Sequence, residues 1–115
     1  MIDLSRYAAL VCDLDGVVYR GPLAIAHAVE SINACRKRII YATNNASRTP
    51  DVVADHLRSL GLSVSTEDVV TSSQAAAWIL EDDIPPPAPV LAIGGDGVAA
   101  ALTERGYAVM RSVGP

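Results

Sequence analysis

Val11-Cys12-Asp13-Leu14-Asp15-Gly16-Val17-Val18-Tyr19 sets two acids one residue apart at the end of an apolar segment, with a glycine directly after. Ala8 to Cys12 reads as a short buried strand. Side chains alternate along an extended chain, so Asp13 and Asp15 point one way and Leu14 the other. At a rise of about 3.3 Å per residue, their Cβ atoms lie roughly 6–7 Å apart. One carboxylate can then touch a reacting centre while the other reaches a leaving group.

Outward from this stretch, strand-like and helix-like segments alternate, which predicts an α/β fold with a parallel sheet. Gly16 to Gly21 reads as a flap or hairpin closed by Pro22. Ile25, Ala28, Val29 and Ile32 follow a helical period. Ile39 to Ala42 is a second strand, ending at Thr43-Asn44-Asn45. Thr49-Pro50-Asp51 starts a helix: an N-cap, a proline at the first helical position and an acid near the positive end of the dipole. Val53, Leu57 and Leu60 form its face, and Gly61 ends it. Ser72 or Ser73 caps a further helix with Ala76, Ile79 and Leu80 on its face.

Pro85, Pro86, Pro87 and Pro89 crowd the next stretch. Proline lacks the backbone N–H and has a fixed φ, so this is a stiff linker and a domain boundary. Residues 1–84 form one unit, 85–89 the linker and 90–115 the start of another. In the last, Val90 to Ile93 is a strand, Gly94 to Gly97 a turn, and Val98, Ala101 and Leu102 a helical face that Gly106 terminates. Tyr107 to Met110 starts another strand. The break at Gly114-Pro115, just after a strand, suggests the N-terminal part of a longer protein.

Composition excludes several classes. The 115 residues are 50% hydrophobic, which implies a globular domain rather than a disordered chain. No apolar run is long enough to span a bilayer, and Met1 to Arg6 lacks the plan of a signal peptide. The net charge of −4, with no basic cluster beyond Arg36-Lys37-Arg38, argues against nucleic acid as a partner. Cys12 and Cys35 are too few for a disulfide framework; buried free thiols suit a reducing cytoplasm.

The acid pair gains meaning from its context. An aspartate at the carboxyl end of a parallel strand sits where α/β folds place ligands. Two carboxylates facing a dianionic phosphate repel it unless a cation intervenes, and Mg²⁺, with its taste for hard oxygen ligands, suits that task. Thr43, Asn44 and Asn45 end the next strand with a hydroxyl, amides and free backbone N–H groups, donors that hold phosphate oxygens. Alone, Asn-Asn is an ordinary turn and Asp-x-Asp recurs in loops; together they favour phosphate chemistry. Arg20 and Arg48 serve equally well as substrate-facing cations or as solvated charges. His27 and His56 read as surface histidines and Trp78 as packing. Gly94-Gly95-Asp96-Gly97 lacks the spacing of a nucleotide-binding loop and reads as a tight turn.

Asp13-Leu14-Asp15-Gly16-Val17 resembles the nucleophile motif of the haloacid dehalogenase (HAD) superfamily of phosphatases. Gly16 to Gly21, then Thr43-Asn44-Asn45-Ala46-Ser47-Arg48, Val70 to Ser73 and Val90 to Gly97, are similar to its NagD-type subfamily. The resemblance implies a Rossmann-like core followed by an inserted α/β cap, with the proline linker as hinge and Val90 as the start of the cap. It implies a Mg²⁺-dependent phosphatase acting on a small phosphorylated metabolite. Asp13 would be the covalent nucleophile and Asp15 the general acid and base. Mg²⁺ would be held by Asp13, Asp15 through its backbone carbonyl, and a later acid; phosphate would be bound by Thr43 with Asn44 and Asn45. It further implies a homodimer through the cap in a full-length parent. The family's lysine and its later Gly-Asp metal motif are not matched: Lys37 precedes the Thr-Asn-Asn strand, and Gly95-Asp96-Gly97 comes too early. The 115 residues alone are therefore expected to be inactive. A receiver-like phospho-acceptor domain, or a non-catalytic HAD-like module, is the alternative; a receiver needs a lysine after a late strand, which this chain lacks.

Overall fold

A computed structural model describes residues 6–111. Met1 to Ser5 and the Gly114-Pro115 end, both used above, lie outside the described residues. Seven strands and four α-helices alternate among them: β1 (Ala9–Asp13), β2 (Tyr19–Arg20), β3 (Leu23–Ala24), α1 (Ala28–Ala34), β4 (Arg38–Thr43), α2 (Pro50–Ser59), β5 (Val69–Thr71), α3 (Ser72–Asp83), β6 (Pro89–Leu91), α4 (Asp96–Glu104) and β7 (Ala108–Met110). The α/β class with a parallel sheet is as the alternation predicts.

The main sheet has the order β1-β4-β5, all parallel, with Asp13 opposite Ala42 and Thr43 opposite Thr71. That register lines up the carboxyl ends of the three strands. Leu14, Val18, Tyr41, Val53, Ala54, Leu57 and Val69 are buried in one cluster beneath it, with Cys12, Val29 and Ile32 packed alongside. A second cluster gathers Ala77, Ala92, Ala101, Leu102 and Tyr107 around the separate parallel pair β6-β7. α3 joins the two: it starts at the rim of the main sheet and packs its second half against α4.

Several sequence expectations shift. β1 is not buried on both sides. Val11 is 76% exposed, while Leu10 and Cys12 on the opposite face are half-covered. The described helices cover one face of this strand only, so an apolar run does not imply two covered faces. Cys12 is accordingly half-buried; burial, with the Asp13 charge adding to it, raises its thiol pKa. α3 is capped by Thr71, one residue before the expected serines. Its hydroxyl accepts from the Gln74 N–H, and Gln74 bonds back to the Thr71 N–H, a reciprocal box that satisfies two orphan donors. The buried face of α3 is Ser73 and Ala77, with Leu80 half-buried, whereas Ala76, Ile79 and Trp78 are exposed. Apolar periodicity misses this face because Ser73, a polar residue with a partner, belongs to it. Pro89 opens β6 rather than ending a linker, a position where a strand tolerates proline.

One ion pair ties β4 to the segment before β5. The Arg38 guanidinium donates to Asp68, which also accepts from the Ser65 N–H. These bonds, the arginine's foremost, hold the Asp68 carboxyl below its ordinary range. A depressed folded-state pKa contributes stability above the unfolded value of about 3.9 and loses it as pH falls through the folded value. Arg38 is more than half exposed, so the contribution stays below about 1 kcal/mol. Urea melts at about pH 6 and about pH 2.5 should therefore differ less for Arg38→Ala than for the parent. An undiminished difference would place the acid sensitivity elsewhere.

Candidate active site

The site is built at the carboxyl rim of the main sheet. β1 ends at Asp13, and the chain turns at once: the Leu14 carbonyl accepts from the N–H groups of Val17 at 3.1 Å, Val18 at 2.9 Å and Tyr19 at 3.3 Å. Gly16 makes the turn possible. Its φ of +80° lies in the left-handed region, and its N–H donates to the Tyr19 carbonyl at 2.9 Å. Leu14 is fully buried beneath the turn. Asp13 and Asp15, on either side of it, are both exposed.

Asp13 lines an open, shallow cavity of about 330 Å³ whose walls are partly apolar, with Thr43, Asn44, Thr71 and Ser72 beside Val70 and Ala75. Thr43 is almost fully buried; its Oγ1 accepts from the Asn45 N–H at 3.1 Å, which leaves the hydroxyl hydrogen free to be donated. Asn45 turns back on its own loop. Its Oδ1 accepts from the Ser47 N–H at 3.0 Å and the Ser47 hydroxyl at 2.6 Å, so its side-chain oxygen shapes the loop. The structure thus brings Asp13, Thr43 and Asn44 to one cavity, with Asp15 one step along the turn and Asn45 directed into the loop itself.

Tyr19 reports how the charges gather. Burial raises its phenol pKa first, Asp15 adds to that, Arg48 opposes it, and Asp13 adds again. His56, expected to be solvated, instead contacts the hairpin that follows the acids. Its Nε2 lies 2.9 Å from the Gly21 carbonyl oxygen, and its ring meets Tyr19 edge-on at 4.6 Å.

Of the two expected mismatches, Lys37 lies away from this rim, and the Gly95-Asp96-Gly97 run meets the back of the Thr43–Arg48 loop, its Gly97 N–H donating to the Ser47 carbonyl at 3.0 Å. Lys37 precedes β4, roughly 20 Å of extended chain from Thr43, and lines a different cavity with Asp68. Asp96 pairs with Arg111 at 2.9 Å. Among the described residues no group of three His, Cys, Asp or Glu could hold a metal. Asp13 does offer an exposed carboxylate beside the Asp15 backbone, and Mg²⁺ binds through one or two carboxylates while keeping water and phosphate oxygens. The donors present suit that ion in part.

Residues 10–108 match the haloacid dehalogenase-like hydrolase family. This chain belongs to that family.

Among relatives of this HAD-family chain, the D-glycerol 3-phosphate phosphatase of Mycobacterium tuberculosis is 42% identical over 107 residues, covering 93% of the chain and 30% of the relative. An acid sugar phosphatase of Staphylococcus epidermidis is 35% identical over 109 residues, covering 92% of the chain and 42% of the relative. A crystal structure of glycerol phosphate phosphatase from M. tuberculosis in complex with magnesium superposes with a TM-score of 0.88 at 40% identity, covering 93% of this chain and 33% of that one. The chain thus spans between 30% and 42% of the length of these relatives. No helix among the described residues is long and apolar enough to cross a membrane.

Sequence reasoning did not single out Tyr19 or Ser73 as part of the site. Ser73 buries its hydroxyl against the Ala46 carbonyl at 3.1 Å, and the neighbouring Ser72 hydroxyl donates to the Asn44 carbonyl at 3.3 Å. The paired serines at the start of a helix were the available signal. Helix capping explained them locally and hid their contact with a distant loop.

Proposed function

We propose that this HAD-family chain carries the nucleophile half of a Mg²⁺-dependent phosphatase that hydrolyses small phosphate monoesters through an aspartyl-phosphate. The observation that carries this is the shared cavity of Asp13, Thr43 and Asn44 at the sheet rim. The named activities of the relatives, a glycerol phosphate phosphatase and an acid sugar phosphatase, support the substrate class.

In this reading an Asp13 carboxylate oxygen attacks phosphorus, and the bond to the ester oxygen breaks. Asp15 gives its proton to the departing alcohol, then takes one from the water that attacks phosphorus and frees Asp13. Thr43, through its free hydroxyl hydrogen, and Asn44 bind the phosphoryl oxygens; Asn45 contributes by shaping the loop. Asp13 through its carboxylate and Asp15 through its backbone carbonyl would hold Mg²⁺, whose positive charge offsets repulsion between the acids and the dianionic phosphate.

The half-site follows from what the sequence carries. A lysine to neutralise phosphate and a third metal acid would come from the remainder of a longer polypeptide, and the 115 residues alone would be inactive. Residues 1–84 would belong to the HAD core, 85–88 to the hinge and, with Pro89 already in β6, 89–115 to the beginning of the cap, with the parent pairing through that cap. A small phosphorylated metabolite in the cytoplasm, without nucleic acid or membrane, completes the proposal.

The test uses the full-length polypeptide with 4-nitrophenyl phosphate and a panel of sugar and polyol phosphates. Hydrolysis should fall to background with EDTA and return with Mg²⁺. Activity of the isolated 115 residues that depends on Asp13 would refute the need for later groups. A phosphoaspartate that persists for minutes, with no ester turnover, would favour a receiver-like acceptor instead.

A further inference from the structure

We propose that Ser73, and Gly95 and Gly97 at the start of α4, are positioning residues that seat the Thr43–Arg48 loop from behind, so that the second sheet unit sets the geometry of the candidate phosphate site. The inference rests on the functional reading above for what the loop binds, but not for the seat itself.

Two backbone segments meet here with no side chain between them. The Gly97 N–H donates to the Ser47 carbonyl at 3.0 Å. A Cβ on Gly97 would lie 2.4 Å from the Ala46 carbonyl oxygen and 2.5 Å from that of Arg48. One on Gly95 would lie 2.7 Å from Ser47 Cβ and 2.9 Å from Ser47 Cα. Conformation does not explain these glycines. Gly95 has a φ of −79°, which any residue adopts, and Gly97 is not among the positive-φ residues. Close approach of the loop explains them. The contact atoms at Gly97 are backbone, so no rotamer change relieves a clash.

Ser73 closes the seat from the α3 side. It is 7% exposed and donates to the Ala46 carbonyl at 3.1 Å, the same oxygen that crowds Gly97. α3 and α4 pack together through the second cluster. The loop is therefore held between the starts of two helices that are themselves locked to each other. Asn44, at the cavity, is tied to the same assembly through Ser72. A shift of the second unit must pass to the loop that carries Thr43 and Asn44.

The experiment compares Gly97→Ala, Ser73→Ala and the control Ala100→Gly in the full-length protein. Ala100 is exposed on the same helix, so its change weakens α4 without touching the loop. Two readouts are taken on folded protein: inhibition by inorganic phosphate against 4-nitrophenyl phosphate, and amide hydrogen exchange at Ser47 and Arg48. Gly97→Ala should raise the phosphate inhibition constant and KM by about 10-fold or more, since misplacing a preorganised group by ~1 Å costs on the order of 10²-fold. Ser73→Ala should do so to a lesser degree. Both should speed exchange in the loop, with Ala100→Gly close to the parent in both readouts. If Gly97→Ala does not fold, Ser73→Ala, which removes a single oxygen, carries the test. Unchanged exchange in Ser73→Ala, or equal effects from Ala100→Gly, would overturn the seat. A parent protein that neither binds nor hydrolyses phosphate esters would instead sink the functional reading; the exchange result would still decide the seat.

Discussion

Asp13→Asn in the full-length protein is expected to lower phosphate-ester turnover by ~10⁴-fold or more, the scale on which loss of a covalent nucleophile is felt, while leaving the melting temperature within the noise of a surface change. The two halves of this prediction have separate causes. The amide is nearly isosteric with the carboxylate but cannot attack phosphorus, so the route through an aspartyl-phosphate closes. The side chain is exposed, and exposed substitutions away from special features usually fall within about 0.5 kcal/mol. The pairing of Asp13 with Ala42 is made by backbone and survives. Initial rates on 4-nitrophenyl phosphate together with a thermal melt check both. Retained turnover would remove Asp13 from the role of nucleophile, and a melt lowered by several degrees would make it a structural residue.

Leu14→Ala is expected to produce the opposite pattern: a large loss of stability, with activity failing because the acids lose their footing. Leu14 is the fully buried residue between two exposed aspartates, and it packs with Val18, Tyr41 and Leu57 in the main cluster. Truncating a buried leucine costs about 2–5 kcal/mol, depending on how far the site collapses around the cavity. Its carbonyl accepts three N–H groups of the following turn, so movement of this residue moves Asp15 and the hairpin after it. Chemical denaturation of the full-length protein measures the effect. A loss below about 1 kcal/mol would mean that the core does not depend on this anchor. Turnover measured well below the variant's melting temperature should still be reduced, through looser placement of Asp13 and Asp15.

The fold and the candidate site were legible to different depths. The helix starting at Pro50, the strand ending at Thr43 and the strand bearing Asp13 all announce themselves through local chemistry: a proline at a helix start, a short β-branched run, an acid after apolar residues. Misplaced features involve residues whose partners lie far along the chain. Ser73 reads as a cap because serines favour helix starts, yet Thr71 takes that place and Ser73 reaches Ala46. Gly95 and Gly97 read as turn glycines, yet their need is space for another backbone. Val11 reads as buried because apolar runs usually are, yet the described elements leave that face open.

Alternation along an extended chain was enough to set Asp13 and Asp15 to one side and Leu14 to the other. That much is a property of covalent geometry and of a few consecutive residues, and the amino-acid order alone determined it. The structure shows the acids' side to be the solvent side. Bringing Asp13, Thr43 and Asn44 to one cavity, and closing Ser73 and Gly97 on the loop between them, needed the register of three parallel strands and the packing of α3 on α4. Those are contacts between segments far apart in the chain. They are set by which surfaces fit together once water is excluded, and only the tertiary structure decided them.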